Sequence, residues 1–445
     1  MKKNYLLGMA LMASLSFYSC DKEVVYVQDG NGVESVADGA QIITLQVENG
    51  GDGLATRAGR PLYSAEAKQT IENVKLWICD NAGKVVYIKE ISDWNTDGST
   101  VYTTGGHGRQ TTIELKGADK LAAGTYKIYA VGYSNSSAYT LTDVTNVAKE
   151  STFNENMVLP CSTAGEEIFA GQMELAVEKG KGFKKPVVLN RQVAGAFAYV
   201  KDIPFMEGAK YLKLVASAQN QSLVLGNFNS FDLTGNGSGN ANVKYVVNGT
   251  NGKSGSETYV ISTIDLNKWF TAIKDDNGDN LIDAGENWKN PCRPSSSPAA
   301  GTYPTFQKGS AFGGEFVIPF AHVDGKQTLT LQLTKEDGDS LRSWKVNLGS
   351  ADEQLKQTIT CWNSGSTNWS TSLSGESSNT YSLVRNHLYG IGTRMNDEAD
   401  PEQPGVDPDP DPENPNDKPE SLNNKQELVL KVNDNWEVIH GMELD

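Results

Sequence analysis

The chain has 445 residues, of which 38% are hydrophobic and 21% charged, and its formal net charge is −16. That charge argues against nucleic acid or an anionic lipid surface as a partner, because the electrostatic footprint has the wrong sign. Once the terminal segments described below are set aside, roughly 340 residues remain, a length that divides into two domains.

Residues 1–20 read as a targeting segment. Lys2 and Lys3 form a basic start, Leu6 to Leu15 an apolar stretch too short to span a bilayer, and Ser19-Cys20 the end. The cysteine at that junction resembles a bacterial lipoprotein signal, with Cys20 as the acylated residue. Asp21-Lys22-Glu23 resembles the surface-export signals of the Bacteroides group. Phe17 and Tyr18 depart from the tighter lipoprotein consensus, which leaves an ordinary secretory signal as the alternative. No other stretch is apolar enough to span a membrane as a helix.

Residues 21–57 read as a propeptide carrying one strand. Within Gln41 to Glu48, Ile43, Leu45 and Val47 share a face with period two. Gly50 to Arg60 follows, rich in glycine and small residues, with Thr56-Arg57-Ala58 in its middle. Proteolytic nicking concentrates at such loop tips, and a cut between Arg57 and Ala58 would detach the strand from the body.

The body, residues 58–188 and 189–396, reads as all-β. Val74 to Cys79 and Val85 to Ile91 flank the hairpin signal Asp80-Asn81-Ala82-Gly83, and Thr111 to Leu115 and Tyr126 to Tyr133 continue the alternation. In the second half, Val193 to Val200, Tyr211 to Val215, Phe316 to Phe320, Thr328 to Leu333, Trp344 to Leu348 and Thr380 to Val384 read as strands. Short strands punctuated by glycine, serine and asparagine predict two β-sandwich domains meeting near Pro186 to Arg191. Gly235 to Ser256 reads as a surface loop or an elaborated hairpin.

Asp275, Asn277, Asp279, Asp283 and Glu286 fall at positions 1, 3, 5, 9 and 12 of an EF-hand-like loop, with the carbonyl of Leu281 at position 7. Hard Ca²⁺ takes six to eight oxygens, closed by a bidentate Glu. Asn280 stands at position 6 in place of glycine and must take a left-handed conformation there. Leu266, Trp269, Phe270 and Ile273 suggest an entering helix. The spacing predicts a structural Ca²⁺ site; the competing account is an acidic solvated turn.

Residues 397–424 form an acidic tether. Asp397 to Asn424 holds seven of the sixteen prolines and ten acidic residues, with Lys418 the only basic one. Such a segment should be extended and self-repelling, reaching several tens of ångströms at roughly 3.1 Å per residue. In residues 425–445, Leu428, Leu430, Val432, Trp436 and Val438 take even positions while Lys431, Asn433, Asn435 and Glu437 lie between them. This half-buried strand has no evident partner in its own body and must pair elsewhere. Leu428, Leu430 and Val432 repeat the spacing of Ile43, Leu45 and Val47, so the two strands could occupy one groove.

Arg385-Asn386-His387-Leu388-Tyr389, Leu121-Ala122-Ala123-Gly124-Thr125-Tyr126-Lys127-Ile128-Tyr129-Ala130-Val131, the lipoprotein start and Thr56-Arg57-Ala58 together resemble the fimbrillins, the polymerising subunits of type V pili in Bacteroidales. Asn435-Trp436-Glu437-Val438-Ile439-His440 looks most like the stalk subunit of the short (minor) fimbriae. The resemblance implies two transthyretin-like β-sandwich domains plus a detached C-terminal donor strand, and a precursor lipid-anchored at the outer membrane. It also implies extracellular cleavage by an Arg-specific protease, and polymerisation with other copies by strand exchange alongside anchor and tip subunits.

An enzyme is not expected. His107, His322, His387 and His440 are far apart, and no HExxH, G-x-S-x-G or Walker loop occurs. After Cys20, the cysteines Cys79, Cys161, Cys292 and Cys361 allow three pairings and lack CxxC spacing. The competing function is a surface adhesin or glycan-binding lipoprotein (a tip or anchor subunit), with Trp362 and Trp369 in a polar loop region stacking on a sugar; filling a core is the commoner use of such side chains.

Overall fold

A computed structural model of the chain describes residues 26–28, 34–36, 39–47, 71–101, 109–161, 165–227, 245–285, 287–293, 306–320, 329–348, 358–373, 383–392, 419–423 and 438–444. In the first half the strands are β1 (Tyr26–Gln28), β2 (Glu34–Val36), β3 (Gln41–Val47), β4 (Asn73–Asp80), β5 (Val85–Ile91), β6 (Thr100–Val101), β7 (Arg109–Leu115), β8 (Gly124–Tyr133), β9 (Val158–Pro160), β10 (Phe169–Val177) and β11 (Phe183–Arg191). The second half continues with β12 (Ala194–Lys201), β13 (Tyr211–Gln219), β14 (Ser222–Val224), β15 (Tyr245–Val247), β16 (Gly249–Thr250), β17 (Lys253–Asp265), β18 (Ala311–Val317), β19 (Leu329–Thr334) and β20 (Ser340–Leu348). It ends with β21 (Thr358–Asn363), β22 (Asn368–Leu373), β23 (His387–Ile391), β24 (Glu420–Ser421) and β25 (Val438–Leu444). The fold is all-β.

The first domain is a sheet in the order β5-β4-β8-β10-β11-β3-β7-β6, with β2 of the β1–β2 hairpin joining β11. β10 and β11 share only the pairs Phe169↔Arg191 and Ala170↔Asn190. The sheet folds over at that corner into two layers, and Ile43, Leu45, Val47, Val74, Leu76, Ile78, Ile128, Phe169 and Leu189 fill the space between them. Apolar residues alternate along β3 and β10 because one face meets this core and the other does not.

The second domain is a sheet in the order β17-β13-β19-β20-β25-β23-β12-β18, with β24 attached to β12. Its core runs through Phe197, Tyr199, Leu212, Leu214, Phe312, Leu331, Leu333 and Tyr389 and continues onto Trp77 and Tyr129 on the outer face of β4 and β8. Small three-stranded sheets, β16-β14-β9 and β15-β21-β22, complete the body.

The chain passes from one domain to the other between Arg191, the end of β11, and Ala194, the start of β12. Of the stretch Pro186 to Arg191, where the sequence suggests the junction, Pro186 lies inside β11 opposite Thr44 and Arg191 is its last residue. The strand expected at Phe316 to Phe320 begins earlier, at Ala311. Thr380 to Val384 is not a strand over its described residues, Leu383 and Val384. Leu383 makes only an isolated bridge to Phe320, and the strand is the fully buried His387–Ile391 that follows.

One further expectation is corrected. The tail is not detached over its last residues: Val438–Leu444 enters the second sheet, parallel to β23 and antiparallel to β20.

Candidate functional site

Two places in the fold receive a strand from a chain terminus. In the first domain, β3 runs parallel to β11 from Gln41↔Phe183 to Val47↔Leu189 and antiparallel to β7 from Gln41↔Leu115 to Val47↔Arg109. Ile43, Leu45 and Val47 are all 0% exposed. Removing β3 would open two unpaired strand edges and a three-residue apolar trough. The cleavage residues Arg57 and Ala58, and Cys20, lie outside the described residues.

The stretch Leu121 to Val131 holds β3 at its start. The Gln41 side chain donates from Nε2 to the Leu121 carbonyl (2.9 Å) and accepts from the Leu121 N–H at Oε1 (2.7 Å), acting as an extra rung of ladder. Lys120 Nζ donates to the Gly39 carbonyl at 2.9 Å. Gln41 was not among the residues singled out from sequence, since a lone glutamine at a strand end carries no pattern.

In the second domain β25 takes the comparable place, with one parallel neighbour and one antiparallel: His387↔Val438 to Gly390↔Gly441 on β23, and Val346↔Leu444 to Leu348↔Met442 on β20. Val438 is therefore paired within its own chain, whereas Leu428, Leu430, Val432 and Trp436 lie outside the described residues. Gly390 of β23 is required by close approach, because a Cβ there would sit 2.2 Å from the Phe197 ring.

Arg385-Asn386-His387-Leu388-Tyr389 leads into β23 as an inter-domain staple. The Arg385 side chain, 1% exposed, donates from Nη1 to Gln192 Oε1 (3.0 Å) and the Gly226 carbonyl (2.9 Å), and from Nη2 to the Asn227 carbonyl (2.8 Å). Asn386 takes the left-handed conformation, φ 60°, and its N–H reaches the Val193 carbonyl at 2.9 Å. Tyr389 Oη accepts from the Val384 N–H at 3.0 Å. His387 is fully buried beside Tyr389, their rings stacked at 6.5 Å. These groups tie the Gln192–Val193 link to the second domain, a structural rather than chemical role.

Side-chain to backbone hydrogen bonds hold the acidic loop. Asp275 accepts at Oδ1 from the N–H groups of Gly278 (2.7 Å) and Asp279 (3.2 Å), and at Oδ2 from Asn280 N–H (2.9 Å). Asn277, Asp279 and Asp283 accept from Asp279, Leu281 and Gly285 N–H in turn. Gly278 and Asn280 take φ of 77° and 65°. Lys274 pairs with Asp276. Among the described residues no three His, Cys, Asp or Glu side chains are grouped to hold a metal, and Glu286 lies outside them. The entering helix is a single turn, Leu266–Trp269, capped by Asp265.

Trp362 and Trp369 lie on neighbouring strands, not in a loop. They form a cross-strand pair with ring centroids 5.2 Å apart and planes at 68°. Both are half-buried, and Trp369 Nε1 donates to Asn156 Oδ1 of the first domain at 2.9 Å. Cys79 and Cys161 are buried, and burial pushes the Cys79 thiol up to about 12, which leaves it inert. Among the described residues no helix is long and apolar enough to cross a membrane.

No protein-family model and no curated protein sequence matches the chain. Solved structures of similar fold include the fimbrial anchor protein Mfa2 from Porphyromonas gingivalis, 11% identical over 75% of this chain and 94% of that one, with a TM-score of 0.32. The tip fimbrial protein Mfa3 from the same organism, with a C-terminal truncation, is 8% identical over 78% and 99%, with a TM-score of 0.33. A fimbrial assembly protein from Parabacteroides distasonis is 12% identical over 75% and 99%, with a TM-score of 0.32. Likeness at this level does not carry a residue's role from one chain to another. The solved structures named here as similar to this chain are fimbrial proteins of Bacteroidales.

Proposed function

We propose that this chain is a structural subunit of a cell-surface fimbria, exported as a lipoprotein through Cys20, matured by Arg-specific cleavage after Arg57, and polymerised by strand donation. The supporting observation is that β3, supplied from upstream of Arg57, is held between β7 and β11, both of which lie downstream of it. One cut therefore separates a central strand from the domain it completes. The tail of another copy, with Leu428, Leu430 and Val432 at the spacing of Ile43, Leu45 and Val47, would refill the trough by strand addition. A head-to-tail contact of this kind does not close on itself and grows a filament. The other partners would be anchor and tip subunits and the Arg-specific protease.

Electron microscopy of the precursor from Asp21 onward, before and after Arg-specific digestion, tests this. Filaments are expected after cleavage only, and neither from an Arg57→Ala precursor nor from a chain ending before Gln426. Monomers under every condition would favour the second reading, a surface adhesin or glycan-binding lipoprotein of tip or anchor type. The half-buried Trp362–Trp369 pair is the observation that speaks for it.

The loop from Asp275 to Glu286 is assigned a structural Ca²⁺. Asp275, Asn277, Asp279, Asp283, Glu286 and the Leu281 carbonyl would hold it, and the bound ion would supply positive charge to an acidic turn. Extracellular Ca²⁺ sites bind at about 10⁻⁴ to 10⁻³ M. Addition of about 10 mM Ca²⁺ should then raise Tm by roughly 3 to 5 °C, and Asp275→Asn should abolish the rise. A Tm indifferent to Ca²⁺ leaves the loop a solvated turn.

A further inference from the structure

The acidic segment does not run freely from the second domain to the tail. β23 pairs with β12 from Gly195↔Leu388 to Ala198↔Ile391, and two residues further along the same edge β24 takes over, with Val200↔Glu420 and Lys201↔Ser421, again parallel. The chain leaves this edge at Gly392 and is back on it at Glu420. The Leu422 N–H donates to the Lys201 carbonyl at 3.0 Å, and Ser421 Oγ donates to Asp202 Oδ2 at 2.6 Å. Leu422 joins the second domain's core at 2% exposed. The expectation of a tether reaching out over its whole length is thereby corrected: both ends of that stretch are fixed to one strand.

We propose that Pro419 to Leu422 is a releasable clip that sets the reach of the tail, and that ionisation of Glu420 opens it. With the clip closed, residues 423–437 separate it from β25, 15 in number, spanning about 47 Å in extended form. With the clip open the span begins at Gly392, and the 45 residues 393–437 could reach roughly 140 Å. Leu428, Leu430, Val432 and Trp436 all fall between the clip and β25, so the closed form holds the donor stretch at both ends.

Glu420 is the weak point of the clip. It is 5% exposed, and its Oε2 has no hydrogen-bond partner among the described residues. The charged groups of β12 and its end that border it are Lys201, whose attraction favours the carboxylate, and Asp202, which is engaged by Ser421. Burial outweighs Lys201 and raises the Glu420 carboxyl from 4.5 to about 7. The closed clip therefore keeps a proton that a free Glu420 has lost. Closure is strongest below pH 4.5, weakens as pH rises from there to about 7, and stays weak above it.

The clip bears on strand donation without resting on it, because it is read on the uncleaved precursor, from which no filament is expected. The measurement is hydrogen exchange of the amides in residues 420–423 at pH 5 and pH 8, corrected for intrinsic rates, with β12 as the internal reference. Protection should fall at least about tenfold between the two pH values. It should be unchanged by pH in Glu420→Gln, and absent at both pH values in Leu422→Asp. Three results would overturn the proposal: no protection of this segment at pH 5, equal protection at pH 5 and 8, or full pH dependence retained by Glu420→Gln. Failure of the filament experiment would leave these results untouched.

Discussion

A first domain stripped of β3 should lose most of its stability and recover it when the strand is returned as a peptide. Burial of Ile43, Leu45 and Val47 is worth on the order of 5 to 9 kcal/mol before entropy costs, against a whole domain's net stability of about 5 to 15 kcal/mol. The loss is compounded because β3 pairs along all seven residues on both sides, so that β7 and β11 each lose a partner. A chain running from Ala58 to Asp445 that carries Leu428→Asp, Leu430→Asp and Val432→Asp isolates this effect from polymerisation and keeps β25 in the second sheet. In calorimetry its first-domain transition should fall to near ambient temperature or vanish, while the second-domain transition stays. A peptide of Gln41 to Glu48 should restore it, and so should one of Leu428 to Val438. The two peptides together separate two ideas. An unchanged first transition without β3 would end the plug assignment, whereas rescue by the first peptide but not the second would keep the plug and remove the tail as its replacement.

How much of this was legible in the sequence depends on whether a strand has one wet face. The β4–β5 hairpin is visible because it alternates around Asp80-Asn81-Ala82-Gly83. β23 is not visible, because all five of its residues are buried and leave no alternation to detect. The start of β18 is hidden because Gly313 and Gly314 interrupt its apolar pattern. Pro186 stands inside a strand, and a proline is tolerated in a strand paired on one side only. At that residue β11 pairs with β3, its pairs with β10 falling at Asn190 and Arg191.

The site shows the same division. The alternation of the tail is plain, but its partners β20 and β23 lie far upstream, and parallel pairing leaves no local signal. The clip at Glu420 to Leu422 is hidden inside an acidic proline-rich run whose composition predicts only an extended chain. Within the acidic loop, Asn280 takes the left-handed conformation that its position demands. Glu286, which would close a calcium cage, lies outside the described residues.

Arg191→Met should be among the most damaging single changes at the seam between the domains. Arg191 and Glu167 are 2% and 1% exposed, joined from both Nε and Nη2 of the arginine to Oε1 of the glutamate at 2.8 Å. The guanidinium also lies over the rings of Phe169, from the first domain, and Phe316, from the second, at 5.1 and 5.9 Å. Removing the arginine strands a buried carboxylate, which costs about 3 to 5 kcal/mol, while replacing both partners by apolar residues is often close to neutral. The double variant Arg191→Met with Glu167→Leu should therefore recover most of what the single change loses in urea unfolding. A single-variant loss within about 1 kcal/mol would mean that water reaches the pair and that it behaves as a surface ion pair. The site matters beyond stability. In the proposed strand-exchange filament, tension entering one domain would leave through the other, and it would cross the seam where Arg191 lies over both Phe169 and Phe316. In calorimetry the two domain transitions of the Arg191→Met chain should move further apart, because a weakened seam uncouples the first domain from the second.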